Sequence, residues 1–261
     1  PSDMGVYFIY KDALKLNKTI SKIEMRVAGA KGGISGGTYE SLSNVNKEAL
    51  KDNEIFKTVI SPYGLNPIGE QSGPDKYDLR KVKFDKTSKN WIGPFIMAAI
   101  NTKIVRRSNA LSGYLYGKDF EYDEATLGGK GFNGRVKSVL MSIPLAIVML
   151  AKPGSIIKKI VDKILPSAGE GPSKKDRENG YFNLRFYVTY KDGSNSIAKV
   201  TGDRDPGYGS TSKMLSESAI CLAMDKLDSL DGVITPSTAM GDNLLERLEN
   251  KSGLTFNIKH L

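Results

Sequence analysis

Apolar and polar positions recur along the chain with two different periods, which together predict a succession of helices and strands. A helical apolar face spans residues 2–16, where Ser2 or Asp3 is suited to cap a first helix and Asn17 to end it. Alternation over residues 19–29 predicts a first strand. Further helices are expected at residues 38–45, 91–111, 210–227 and 237–250, and further strands at residues 79–84, 120–126 and 254–259.

Residues 183–202 give the clearest local prediction, a hairpin of two strands that reverses at Asp192-Gly193. Some strands therefore follow one another directly, whereas others are separated by helices. This pattern favours an α+β fold with a mixed, largely antiparallel sheet packed with helices. The polar residues 61–90 contain Pro62, Pro67 and Pro74 and are expected to form a long surface loop.

Composition places the chain among soluble globular proteins, with 39% hydrophobic and 26% charged residues in a length of 261. Its one cysteine, Cys221, lies in the apolar stretch 219–224, which predicts a buried and inert thiol. Its one histidine, His260, lies beside the C-terminus. These counts disfavour a zinc site built from cysteine and histidine and a Ser-His-Asp triad, and we expect no metal site.

The net charge of +9 is concentrated in one region, because residues 130–175 hold nine lysines and arginines against Asp162 and Glu170. An uncharged run of 13 residues, 139–151, lies inside this region and contains Pro144. A helix that crosses a bilayer needs about 20 apolar residues, so the run is too short to span one.

An amphipathic helix is predicted directly after this run, at residues 155–165. With the run it forms an apolar and basic insertion at residues 136–166, joined by a turn at 152–154. One interpretation is a hairpin in a membrane interface, and the other is burial in the core or in a dimer interface. The membrane-facing residues would be Ile156, Ile157, Ile160, Val161, Ile164 and Leu165, with Lys158 and Lys159 beside them. Nucleic acid is disfavoured because the lysines lack interleaved aromatic residues.

Three segments contain side chains suited to binding an anion or a polar substrate. Arg106 and Arg107 lie toward the end of the helix predicted at 91–111, whose first turn suits Pro94. This pair of guanidinium groups can bind a carboxylate or phosphate, or it can interact with the dipole of its own helix. Arg177 lies in a charged loop at 169–182. Residues 202–214 place Asp205 in a turn before a helix that Ser210 or Thr211 can cap. That helix start can bind an anion or be a capped turn with Tyr208 packed beneath it.

Several of these segments resemble the C-terminal half of the saccharopine dehydrogenase-like oxidoreductases, a group that includes the trans-acting enoyl reductases. The most similar are GDRDPGYGSTSKMLSESAICLAMDKL (202–227) and DGVITPSTAMGDNLLERL (231–248). PSDMGVYF (1–8) is similar to the family's segment just after its nucleotide domain, and GGTYES (36–41) to its turn into the second domain. The glycine-rich stretch 30–41 fits neither G-x-G-x-x-G nor a P-loop.

The resemblance implies an NAD(P)-dependent oxidoreductase that acts on a lipid-like enoyl or keto substrate. Residues 1–261 would be its substrate-binding and dimerisation domain, inactive alone, with NAD(P) bound mostly by an upstream domain absent from the chain. A homodimer is expected, inside the cell and in peripheral contact with a membrane or lipid body. The alternative is a non-catalytic lipid- or membrane-surface binding or assembly module on the same fold.

The resemblance also implies which side chains face a substrate or cofactor, namely Asn101, Arg106, Arg107, Arg177, Asp205 and Tyr208. No residue stands out as a proton donor. The side chains chemically able to act as one are Tyr122, Tyr208 and Lys213.

Overall fold

A seven-stranded mixed sheet organises the part of the chain that the computed structural model describes, residues 1–32, 36–150, 154–164, 169–228 and 231–261. The strands are β1 (Ile20–Lys31), β2 (Lys83–Asp85), β3 (Asn90–Gly93), β4 (Glu121–Gly129), β5 (Tyr181–Tyr190), β6 (Asn195–Gly202) and β7 (Leu254–His260). The helices are α1 (Ser2–Lys15), α2 (Gly36–Ala49), α3 (Asn53–Ile60), α4 (Ala98–Leu111), α5 (Gly131–Leu150), α6 (Ile156–Ile164), α7 (Lys174–Glu178), α8 (Gly209–Met224) and α9 (Pro236–Lys251).

The strand order is β2-β3-β4-β1-β5-β6-β7, and this topology confirms the expected α+β fold. β1 pairs in parallel with β4, whereas the other neighbouring strands pair antiparallel. Helix α1 packs against the central strands, where Ile23, Met25 and Phe186 are fully buried. A side chain at Gly5 would lie 2.6 Å from the Phe186 ring, so the glycine permits this close approach.

Several local predictions are confirmed. Asn17 has a φ of 52° just after α1, which suits a residue that ends a helix. The hairpin of β5 and β6 has its turn at Gly193, whose φ of 82° requires the conformational freedom of glycine. Cys221 is buried and free, as expected from its apolar surroundings.

The helix predicted at 91–111 is shorter than expected, because its first part is a strand. Trp91 and Ile92 belong to β3 and pair with β2 and β4, and α4 begins only at Ala98. Pro94 lies in the connection between them and not in a helical turn. The strand predicted at 79–84 is observed only at its end, where residues 83 and 84 belong to β2. The sequence pattern does not predict α3 and α7.

The apolar run forms most of α5, which continues through Pro144. Among the described residues, no helix has both the length and the hydrophobicity needed to cross a membrane. Helix α6 confirms the predicted amphipathic helix. Residues 151–153, which hold most of the expected turn, lie outside the described residues, as do Leu165 and the side chains of Ile157 and Ile164.

Candidate functional site

A cleft of about 400 Å³ lies between α1, the end of α4 and the first half of α9. Its volume falls within the range of about 300–1,000 Å³ that is typical of small-molecule sites. Its walls combine aliphatic and aromatic side chains with a similar share of polar and charged ones. The residues used below to describe it are Tyr7, Leu115, Tyr116, Ser237, Met240, Gly241 and Asp242.

The wall formed by α9 is shaped by a break at Gly241, where φ is 43° and ψ is −125°. A residue with a side chain rarely adopts this conformation, so glycine is required at the break. A side chain there would also approach the Tyr7 hydroxyl to 3.1 Å. The helix predicted at 237–250 is thus correct in extent, but it consists of two segments that meet beside Tyr7.

Tyr7 places a protonated hydroxyl at the cleft. Its Oη donates a hydrogen bond to Asp242 Oδ1 at 3.0 Å, and Lys11 Nζ donates to Asp242 Oδ2 at 2.7 Å. Burial, followed by the hydrogen bond to Asp242, raises the pKa of Tyr7 to about 12. The hydroxyl therefore keeps its proton at neutral pH and can donate a hydrogen bond.

A buried polar network beneath the cleft joins the three helices that form it. Asp3 Oδ1 lies 2.5 Å from the Ser108 hydroxyl, and the Ser237 amide donates to Asp3 Oδ2 at 2.8 Å. The Ser108 hydroxyl also lies 2.7 Å from Thr235 Oγ1. Burial raises the pKa of Asp3 despite these hydrogen bonds. The expectation that Ser2 or Asp3 caps α1 is wrong, because Pro1 holds the cap position and Asp3 instead ties α1 to α4 and α9.

A second buried network brings together two candidates from the sequence, Asn101 and Tyr122. Tyr122 Oη donates to Glu124 Oε1 at 2.7 Å, and Asn101 Nδ2 donates to Oε2 at 3.0 Å. Burial, then the neighbouring Glu124, raises the pKa of Tyr122 well above its ordinary value, and burial also raises that of Glu124. These polar atoms bond to one another in the interior, and neither Asn101 nor Tyr122 lines the cleft.

Arg106 lies in the same region, and its guanidinium bonds to the protein in four directions. Nε donates to Asp75 Oδ2 at 2.6 Å, and Nη2 donates to the Tyr122 carbonyl at 3.0 Å. Nη1 donates to the Pro62 carbonyl at 3.1 Å and to the Thr102 hydroxyl at 3.2 Å. Arg106 therefore fixes the loop before β2 onto α4 and β4.

Arg107 is placed in a similar way to its neighbour. Its guanidinium donates to the carbonyls of Leu65 and Val233. Both arginines thus hold loop backbone in place.

The other candidates lie around the start of α8. Asp205 is fully buried, and its carboxylate accepts the amides of Gly207, Tyr208 and Gly209 at 2.9, 3.0 and 2.6 Å. Asp205 therefore holds the turn that leads into α8, whose N-cap position is Tyr208, and the prediction that Ser210 or Thr211 caps this helix is wrong. A side chain at Gly180 would lie 2.5 Å from Asp205 Cβ, so the loop before β5 packs directly on this turn.

The remaining three candidates are less buried than Asp205. The Tyr208 hydroxyl donates to the Glu170 carbonyl at 3.2 Å, and Lys213 forms an ion pair with Asp203 at 3.0 Å. The Arg177 side chain is exposed. The structure thus divides the sequence candidates into two groups, one beneath α4 and one at the start of α8.

Backbone amides of the kind that bind a diphosphate are already used at two helix starts, those of α2 and α8. The Gly36 amide at the start of α2 donates to the Glu170 carbonyl at 3.1 Å, and the amides at the start of α8 donate to Asp205. A dinucleotide needs such amides for its phosphates. These residues therefore do not fit the diphosphate of NAD(P).

Sequence reasoning missed the cleft and a further charged network around Arg26. Arg26 is fully buried in β1, and its guanidinium bonds to Asp85 and Glu24, each at 3.0 Å, and to Asp123. Charged residues at alternate positions of a strand are typical of a solvated face, so the sequence contains no signal of burial here. For the cleft, the glycine in TAMGDN (238–243) is the one available signal.

Comparisons with known proteins place the chain beside mycobacterial reductases. It is 37% identical over 95% of its length to a Mycobacterium tuberculosis protein that bears a provisional trans-acting enoyl reductase name. It is 33% and 31% identical, over the same share, to proteins of Mycobacterium ulcerans and Mycobacterium leprae named trans-acting enoyl reductase. No family model and no solved structure matches the chain. The chain spans 62% of each relative, and over that region it is similar to proteins named trans-acting enoyl reductase.

Proposed function

We propose that this chain is the substrate-holding part of a saccharopine dehydrogenase-like oxidoreductase that reduces an enoyl group on a lipid-like substrate. The observation that carries the proposal is the similarity to named enoyl reductases over 95% of the chain. More than a third of each relative lies outside the matched region. We assign the binding of NAD(P)H to that other part of the protein, since the amides at the starts of α2 and α8 are already used within this chain.

The cleft is our candidate for the substrate pocket. Its apolar residues, which include Leu115, Tyr116 and Met240, can bury part of the hydrocarbon of an acyl chain, and its polar residues can bind the polar end of the same substrate. Reduction of a carbon–carbon double bond adds one hydride and one proton. In our proposal the hydride comes from outside this chain, and the residues of the cleft bind and orient the acyl group.

Tyr7 is the polar residue we assign to the conjugated carbonyl of the substrate. Its hydroxyl keeps its proton at neutral pH, and in our proposal the carbonyl oxygen of the bound substrate replaces Asp242 as the acceptor of that one proton. Such a bond strengthens as negative charge develops on that oxygen during reduction. Before the substrate binds, Asp242 holds the phenol in place at the break of α9, and Lys11 bonds the other oxygen of Asp242.

The test uses the full-length protein with NADPH and an α,β-unsaturated acyl thioester. Leu115→Trp narrows the cleft and should raise KM by about tenfold, the equivalent of about 1.4 kcal/mol of lost binding. Tyr7→Phe should lower kcat with a smaller effect on KM. The matched control is Leu222→Trp, which alters an exposed leucine on α8 that does not line the cleft.

The cleft assignment fails if Leu115→Trp and Leu222→Trp have the same KM as the unsubstituted enzyme. If the full-length protein binds acyl chains but oxidises no NADPH with any enoyl thioester, the reductase proposal fails. That result would favour the non-catalytic lipid-binding module instead.

A further inference from the structure

Helix α5 touches the sheet along one narrow line. Gly134 and Ser138 are the buried residues of its first three turns. A side chain at Gly134 would lie 2.1 Å from the Gly129 carbonyl oxygen, and one at Gly128 would lie 1.9 Å from Ser138 Oγ. These glycines hold α5 tightly against β4, so the opposite side of the helix faces away from the sheet.

That opposite side is apolar. At about 100° per residue, every third or fourth position from Phe132 onward falls roughly opposite the line of Gly134 and Ser138. The side chains at these positions are between 40% and 75% exposed. They are Phe132, Val136, Leu140, Ile143 and Ile147, and they form a continuous stripe about 22 Å long.

Helix α6 adds exposed apolar residues beside α5. It contacts α5, with Val161 buried, while Ile156 and Ile160 are 77% and 51% exposed. We call the exposed stripe of α5 together with Ile156 and Ile160 the α5–α6 face. An apolar surface of this extent is unfavourable in water and marks an interaction site.

The charge around the α5–α6 face is almost entirely positive. The basic residues in its two helices and at the start of α5 are Lys130, Arg135, Lys137, Lys158, Lys159 and Lys163. Across residues 130–164 the sequence has one acidic residue, Asp162. On α5, Arg135 and Lys137 lie at about 100° and 300° from Gly134, on either side of the stripe.

We infer that the α5–α6 face docks on the surface of a lipid bilayer with anionic headgroups. An apolar stripe between basic flanks matches the two layers of such an interface, since hydrocarbon lies beneath the phosphates. A protein partner would require apolar contact but not basic residues on both sides. The inference is independent of the proposed reduction, because docking is measured without substrate or nucleotide.

The test is co-sedimentation of the full-length protein with two kinds of vesicle, one of phosphatidylcholine and one of an equimolar phosphatidylcholine and phosphatidylglycerol mixture. We expect binding to the mixed vesicles that weakens as salt rises. Leu140→Asp should weaken it by about tenfold or more. The control is Leu222→Asp on α8, since the two leucines are 60% and 59% exposed. Lys159→Glu with Lys163→Glu should weaken binding to mixed vesicles selectively, whereas Lys47→Glu on α2 should not.

Each of three results would overturn the inference. The first is a folded wild-type protein, verified by circular dichroism, that does not bind the mixed vesicles. The second is equal loss of binding in Leu140→Asp and Leu222→Asp. The third is a wild-type protein that does not bind vesicles and is a dimer in size-exclusion chromatography, whereas Leu140→Asp is a monomer. That result would assign the α5–α6 face to contact with a second copy of the chain.

Discussion

Replacing Arg106 with methionine is expected to lower the free energy of unfolding by about 3–5 kcal/mol. The guanidinium is 3% exposed and the Asp75 carboxylate it bonds is 6% exposed, so their pairing is shielded from water. Methionine retains much of the buried volume but leaves the Asp75 charge without its partner. It also removes the donors to the Pro62 and Tyr122 carbonyls. Urea unfolding followed by circular dichroism measures the loss.

The loss should also depend on pH. Burial raises the pKa of Asp75, and Arg106 lowers it, so removing Arg106 raises that pKa further. When the pKa of a carboxyl group is higher in the folded than in the unfolded protein, the free energy of unfolding is highest below the pKa of the unfolded protein. It falls as pH rises through the pKa of the folded protein. The deficit of Arg106→Met should therefore be smallest in acid and grow toward neutral pH. Asp75→Asn should partly rescue the variant at neutral pH, because the amide is uncharged and can still accept from the Tyr122 amide.

A matched control is Arg185→Met, which removes an exposed guanidinium from β5. We expect it to change the free energy of unfolding by less than about 0.5 kcal/mol. A change of less than about 1 kcal/mol in Arg106→Met, without pH dependence, would refute the structural role of Arg106. It would return Arg106 to the substrate-facing role that the family resemblance implies.

Three further predictions concern the packing and capping of helices. Gly134→Ala should lower the free energy of unfolding by about 1–3 kcal/mol, because the added Cβ meets a backbone oxygen. Gly37→Ala on α2 places its Cβ in open space and should not lower the free energy of unfolding. Thermal unfolding compares the two variants. Asp205→Ala should cost about 1–3 kcal/mol in urea unfolding, since it leaves the amides at the start of α8 without their acceptor. Hydrogen bonds from Arg247 lower the pKa of Asp225 to about 2. The stability that this pair contributes is therefore present above the ordinary pKa of aspartate and is lost as the pH falls toward 2. In Arg247→Gln, NMR titration should find the Asp225 pKa near its ordinary value, and an unchanged pKa would contradict this account.

The parts of the fold that sequence predicts are those fixed by local chemistry. Asn17 ends α1 because it tolerates a positive φ, and Asp192-Gly193 forms a hairpin turn for the same reason. Helix α6 is evident because its apolar and basic residues separate on two faces. In each case the signal and the structure it specifies lie within a few residues of one another.

The parts that sequence does not predict depend on distant partners. Asp3 resembles a helix cap, yet its partners lie 105 and 234 positions away in Ser108 and Ser237. β3 has four residues, too few to display alternation, and it is a strand because β2 and β4 flank it. Arg26 is buried because Asp85, 59 positions later, folds over it.

The candidate site follows the same division. Sequence identified Asn101, Arg106 and Tyr122, and the structure brings them together, but as a buried network whose bonds are within the protein. The cleft depends on the break at Gly241, a conformation that one glycine within a helical pattern does not reveal.

The most direct test of the central claim, that this chain holds the substrate of an enoyl reductase, is photolabelling of the full-length protein. An α,β-unsaturated acyl thioester with a diazirine on its acyl chain would be cross-linked and the labelled peptides identified by mass spectrometry. The account predicts labels on residues 111–116 and 237–243, and competition by unlabelled thioester. Labels confined to the start of α8, or to the part of the protein outside this chain, would contradict it.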